Sequence, residues 1–172
     1  MNKYLSLIIL AATLFLIGCS NQIGDYVAAS SISRNGFARD AEAMRKLDGQ
    51  EIKVWGFVDY GNIYGDAGAK AILGDWWSGD GPDAGTWRFN LKADPGDKTG
   101  NSFPVLAPND PGRDELLKAF VADANAQRPT RVFVKGKLHT FDAPTNTGAL
   151  TGLSLELESS DDILLGPPAE KR

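Results

Sequence analysis

The stretch Gln50-Glu51-Ile52-Lys53-Val54-Trp55-Gly56-Phe57-Val58-Asp59-Tyr60 decides the fold. Its branched apolar residues Ile52, Val54 and Val58 alternate with Lys53, Trp55, Phe57 and Asp59, the period of an extended strand with two unlike faces. Gly56 lies at the centre. A glycine in mid-strand marks a place where the strand coils sharply or another backbone comes close. The stretch therefore predicts a long, bent strand, and the chain on either side of it should be built to pair with it.

Downstream, residues 61–85 form a long connection with seven glycines, the aspartates Asp66, Asp75, Asp80 and Asp83, and the pair Trp76-Trp77, with room for a short strand or helical turn over 67–73. Connections of this length in compact domains are usually functional or flexible. A second strand over 85–93 turns Trp87, Phe89 and Leu91 inward and Arg88, Asn90 and Lys92 outward. The turn Asp94-Pro95-Gly96-Asp97 leads to a brief third strand, 102–106. Asn109-Asp110-Pro111 then opens a helix over 111–126, lined on one side by Leu116, Leu117, Phe120, Val121 and Ala124 and stopped by Pro129. A fourth strand, 131–141, sets Val132, Val134, Gly136 and Leu138 against Phe133, Lys135, Lys137 and His139, and a fifth follows over 149–158. Upstream, Phe37, Ala41, Met44 and Leu47 fall at helical spacing and predict a helix over 37–48, closed by Gly49. Helix, strand, long loop, strand, strand, helix, strand, strand is the order of a five-stranded OB-fold barrel, mainly β within the α+β class.

The patterns Lys53-Val-Trp-Gly-Phe-Val58, Val132-Phe-Val-Lys-Gly-Lys-Leu138, Leu153-Ser-Leu-Glu-Leu157 and Asp162-Ile-Leu164 resemble the anticodon-binding-like OB-fold domains of exported bacterial proteins, most of them of unassigned role. The resemblance spans roughly residues 38–165 and rests on core strands. It carries no catalytic residues.

Residues 1–18 read as an export signal. Lys3 precedes an apolar run over 4–17, too short for the ~20 residues of a membrane-spanning helix. The run ends in Leu16-Ile17-Gly18-Cys19, which resembles a bacterial lipobox and implies cleavage before Cys19 with lipid, palmitate included, attached to it. Cys19 is the chain's one cysteine, so no intrachain disulfide can form. Stable anchoring takes more than one acyl chain, as lipoproteins carry. Ser20 after the cysteine implies, by the same resemblance, the outer membrane and a domain facing the periplasm. Residues 19–36, rich in Ser, Asn, Gly and Ala, read as a flexible tether, 37–165 as one domain, and 166–172 as a tail.

The chain carries 18 Lys+Arg against 22 Asp+Glu, a net charge of −4, and loss of Lys3 with the signal leaves about −5, which argues against nucleic acid as a partner. A single histidine, His139, excludes multi-histidine metal sites and removes the commonest general base from most catalytic schemes. The loop carboxylates match no calcium loop, and turn formation explains them; no cofactor is expected. Three readings of function follow. The first is a noncatalytic binding module whose ligand or partner protein sits on Trp76, Trp77, Arg88, Asn90 and Lys92, because the first inter-strand loop and the outer face of strand two lie together in this barrel. Flat aromatic surface beside cationic and amide donors suits an anionic or hydroxyl-rich ligand. The second is an envelope hydrolase using loop carboxylates. The third is a polyanion surface formed by Lys53, Arg88, Lys92, Lys135 and Lys137, interleaved with Trp55, Phe57 and Phe133.

Overall fold

A computed structural model describes residues 22–64, 86–146 and 148–168. In chain order they form β1 (Gln22–Ile23), β2 (Tyr26–Ala28), α1 (Ala29–Ile32), β3 (Ser33–Arg34), β4 (Phe37–Ala38), α2 (Ala41–Lys46), β5 (Glu51–Tyr64), β6 (Thr86–Lys92), β7 (Ser102–Pro108), α3 (Gly112–Asn125), β8 (Arg131–Thr145), β9 (Gly148–Glu156), a 3-10 turn (Ser160–Asp162) and β10 (Ile163–Leu164). The protein is mainly β. Each of the five predicted strands is present, and the first and fourth run four residues further than their alternation indicated.

Pairing organises the strands around β5. It runs antiparallel to β6 from Phe57 onward and antiparallel to β8 over Glu51 to Phe57. β6 pairs with β7, β7 runs parallel to β9, and β9 returns antiparallel to β8. The pairings thus form a circuit, β5–β6–β7–β9–β8–β5. Inside it, Trp87 stacks on Phe89 with ring centres 5.4 Å apart, and Phe120 of α3 sits 5.6 Å from Phe89. Helix α3 therefore contributes an aromatic plug, with Leu116 and Leu117 buried beside it. Gly56 is where the long strand needs no side chain: a Cβ there would lie 2.7 Å from the Lys92 carbonyl oxygen and 3.0 Å from the Ala29 Cβ.

The N-terminal segment departs from the reading of 19–36 as a tether. Residues 22–34 are built into the domain. Val27 pairs in parallel with Val54, Ala29 and Ile32 are buried, and the Tyr26 ring meets Phe133 edge-on at 5.4 Å. Its polar composition masked an apolar subset, Tyr26, Val27, Ala29 and Ile32, that only long-range pairing can use. Asn35-Gly36, with φ of 53° and 81°, makes the two-residue turn of a small hairpin, β3–β4. Phe37 joins that hairpin and not the helix, so α2 begins after Asp40, whose side chain accepts from the Ala43 amide at 2.9 Å. At the other terminus Pro168 lies beside Gly24, its Cγ 3.9 Å from where a Cβ would stand, so the described part of the expected tail packs on the first hairpin.

Candidate functional site

The outer face of β6 holds three of the residues singled out from the sequence. Arg88 lies opposite Tyr64 on β5 and Leu106 on β7, Asn90 opposite Asp59 and Pro104, and Lys92 opposite Phe57 and Ser102. Their inward neighbours Trp87, Phe89 and Leu91 are fully packed, which holds the outward row in place. Trp76 and Trp77, like Asp66, Asp75, Asp80 and Asp83, fall outside the described residues, as do Cys19 and residues 1–18. The connection that carries the two tryptophans leaves from Tyr64 and returns at Thr86, at the Arg88 end of the row.

A register shift in the β5–β6 ladder between Asp59 and Ile63 shapes this face. Asp59, expected outward beside Lys53 and Trp55, is buried at 1% exposure. Its carboxylate accepts from the Asn62 amide at 2.8 Å, the Gly61 N–H at 3.3 Å, the Gly100 N–H at 3.0 Å and the Ser102 hydroxyl at 2.7 Å. A bulge inserts residues without partners across the ladder and redirects side chains, and here it swings Asp59 under the strand to collect those donors. Tyr60 anchors the bulge from outside, donating to the Arg128 carbonyl at 2.7 Å.

The same hydrogen-bond chain orients the row. Ser102 gives its one proton to Asp59, so towards Asn90 it can only accept, and it takes the Asn90 Nδ2 at 3.2 Å. Asn90 Oδ1 is thereby turned away from Ser102, buried and without a hydrogen-bond partner. Arg88 Nε is in the same condition. The guanidinium of Arg88 lies over the Tyr64 ring, 4.1 Å from its centre, and Tyr64 Oη donates to Asn62 at 2.7 Å. Among the described residues, an unpaired donor and an unpaired acceptor thus lie just beneath this face, on side chains two positions apart on one strand, about 6–7 Å of rise, next to an aromatic ring.

Sequence reading missed Tyr64, Asp59 and Ser102. Gly61-Asn62 reads as the start of a loop, yet the branched Ile63 and aromatic Tyr64 beyond it were the available sign that the strand continues.

Three of the five cations of the expected basic face have acidic partners. Lys53 pairs with Asp25, Lys135 with Glu51 at 3.0 Å, and Lys137 with Glu158 at 3.6 Å. Hydrogen bonding and charge from Glu51, with Asp162 and Glu158 behind it, hold the Lys135 ammonium above the usual lysine range. Phe133 is fully buried beside Tyr26, and Phe57 is buried as well. His139 pairs with Glu156 at 3.1 Å. Among the described residues no cluster of three or more His, Cys, Asp or Glu side chains could hold a metal ion, and no helix is long and apolar enough to cross a membrane.

No protein-family model matches the chain, and no curated protein matches it in sequence. Among solved structures, the chain is similar to OBody AM2EP06 bound to hen egg-white lysozyme, at 20% identity and a TM-score of 0.37, covering 75% of this chain and 91% of that one. It is similar to OBody AM3L09 bound to the same lysozyme at 19% identity and a TM-score of 0.34, over 70% and 88% of the two chains. For OBody AM1L10, also bound to lysozyme, the values are 17% and 0.34 over 76% and 94%. With TM-scores this low, the strand pairings of the chain itself define its architecture.

Proposed function

We propose that this chain is a lipid-anchored protein of the bacterial envelope whose five-stranded OB-fold barrel is a noncatalytic binding module, with the outer face of β6 taking an anionic or hydroxyl-rich ligand such as a glycan, a peptide carboxylate or an acidic protein patch. The barrel reading is supported by the pairing circuit, in which β7 and β9 run parallel and every other neighbour is antiparallel. The anchor is supported by Leu16-Ile17-Gly18-Cys19 at the end of its apolar run.

One observation carries the ligand assignment: among the described residues, Arg88 Nε and Asn90 Oδ1 are both buried without partners on the same side of one strand. Each unpaired group costs about 1–3 kcal/mol, which a ligand hydroxyl, able to accept from Arg88 Nε and donate to Asn90 Oδ1, recovers once the two side chains turn towards it, whereas a carboxylate can pair with Arg88 Nε alone. Both residues keep part of their surface outside. Asp59, the carboxylate of this site, has four donors on it and is committed to holding the bulge, which favours binding over catalysis.

The test is calorimetric titration with three probes: a muramyl dipeptide, a neutral chito-oligosaccharide and an acidic hexapeptide. Binding of the hydroxyl-rich or anionic probe should weaken about tenfold in Arg88→Ala, equivalent to about 1.4 kcal/mol, weaken with added salt if the probe is anionic, and hold steady in Lys137→Ala. Equal losses in both variants, or no binding of any probe, would overturn the assignment. Crosslinking in intact envelopes followed by mass spectrometry then identifies the natural ligand or partner.

A further inference from the structure

The distance from the anchor to the folded domain is fixed by chain length. Because β1 starts at Gln22 and its hairpin packs on β5, only two residues, Ser20 and Asn21, separate Cys19 from structured chain. Three Cα-to-Cα steps span at most about 11 Å. Acyl chains on Cys19 sit in the hydrocarbon, which puts Cys19 itself at headgroup level and Gln22 within about 11 Å of it. A domain held that closely cannot stand off from the membrane.

The surface around Gln22 is suited to that position. The segment Leu164–Pro168 crosses it: Leu164 pairs beside Phe133, Phe133 packs on Tyr26, and Pro168 lies against Gly24 in the β1–β2 turn. Leu164 and Leu165 are 38% and 47% exposed, two of the four large apolar side chains that stand out among the described residues. Ile23, half-buried, pairs with Tyr26 in the same hairpin. Asp25, at the turn, is paired with Lys53, so its carboxylate does not face anionic lipid alone.

We infer that this corner, with Leu164 and Leu165 at its centre, is a docking surface for the bilayer that holds the chain's own lipid. Exposed leucines at headgroup level bury apolar area in the acyl boundary, as interfacial segments do, and convert a flexible anchor into a fixed orientation. Of the β6 row, Lys92 lies opposite Phe57, beside the Ala28–Trp55 pairing, and Arg88 opposite Tyr64, so the Arg88 end is the one farther along β5 from the attachment point. The inference rests on lipidation at Cys19.

The test uses the lipidated full chain in phosphatidylethanolamine–phosphatidylglycerol vesicles. With the native cysteine acylated, Leu165→Cys carries an environment-sensitive fluorophore at the corner. Ala149→Cys carries it on an exposed residue whose strand partner Pro144 lies well along β8 from Phe133, the partner of Leu164. Headgroup-nitroxide lipid should quench the Leu165 label several-fold more than the Ala149 label. Equal quenching of the two, with palmitate incorporated into the chain, would overturn the docking and leave the anchor standing. Absence of palmitate from the wild-type chain would overturn both. A dimeric mass in the unanchored Cys19→Ser chain, with the Leu165 label shielded there, would give the corner to a second copy and also overturn the bilayer assignment.

Discussion

Replacing Gly56 by alanine adds a single methyl group to the strand around which the fold is arranged, and the structure sets its cost. The added Cβ would meet the Lys92 carbonyl oxygen at 2.7 Å, the Leu91 Cγ at 2.9 Å and the Ala29 Cβ at 3.0 Å. Two of the three are fixed: one is backbone of β6, the other the Cβ of a fully buried residue of α1. The methyl therefore has to push β6, α1 or both outward by several tenths of an ångström. Overpacking of this kind costs about 1–3 kcal/mol, and the upper end applies because three contacts tighten together. Against it, alanine restricts the unfolded chain and contributes about 0.4–1 kcal/mol. Gly56 is not among the glycines with positive φ, so no backbone strain adds to the sum. The net loss is about 2 kcal/mol, or about 4–8 °C in Tm for a domain of this size. Gly166→Ala is the control, since nothing lies within 4 Å of its added Cβ. Calorimetry or urea denaturation of the unlipidated chain reads both. An unshifted midpoint for Gly56→Ala alongside an unshifted control would refute the close approach of β5, β6 and α1. Gly56→Val, with two further methyl groups, should lose more.

Tyr26→Ala separates an integral N-terminal segment from a tether: removing a ring that is 6% exposed and packed on Phe133 should cost about 3 kcal/mol, whereas a loose tether would leave the melt unchanged. Acid should also destabilise the protein through Asp110 and Asp123. Burial pushes the Asp110 carboxyl up, but hydrogen bonds from Ser160, Gly112 and Ser159 outweigh it, and the Thr130 hydroxyl, then Arg128, hold Asp123 down, so both sit below the usual carboxylate range. With folded values below unfolded ones, their stabilisation is fully present above about pH 4 and is lost as pH falls through the folded values. Urea midpoints at neutral pH and pH 3 should converge in Asp110→Asn and Asp123→Asn relative to wild type; an unchanged acid sensitivity in both would exclude these two groups.

The sequence by itself determined the five long strands, because alternation at period two and helical spacing in α3 are local patterns set by which side chains must leave water. Trp87, Phe89 and Leu91 had to face one way, and they do. It also determined where backbones come close, through Gly56. What it did not determine was everything that depends on a partner distant in the chain. Tyr26, Val27 and Ile32 have too few apolar neighbours in sequence to read as structure, and acquire their role only when β5 and β8 are beside them. The Asn35-Gly36 pair was a legible turn signal whose flanking strands were too short to register. Lys53, Lys135 and Lys137 read as a basic surface because sequence shows parity and not the acids that tertiary packing sets against them. Asp59 read as an outward residue because a bulge breaks parity without changing composition. The candidate site divides in the same way: Arg88, Asn90 and Lys92 could be read from alternation, whereas the unpaired state of Arg88 Nε and Asn90 Oδ1 was decided by a hydrogen-bond chain through Ser102 and Asp59, residues brought together by the register of three strands.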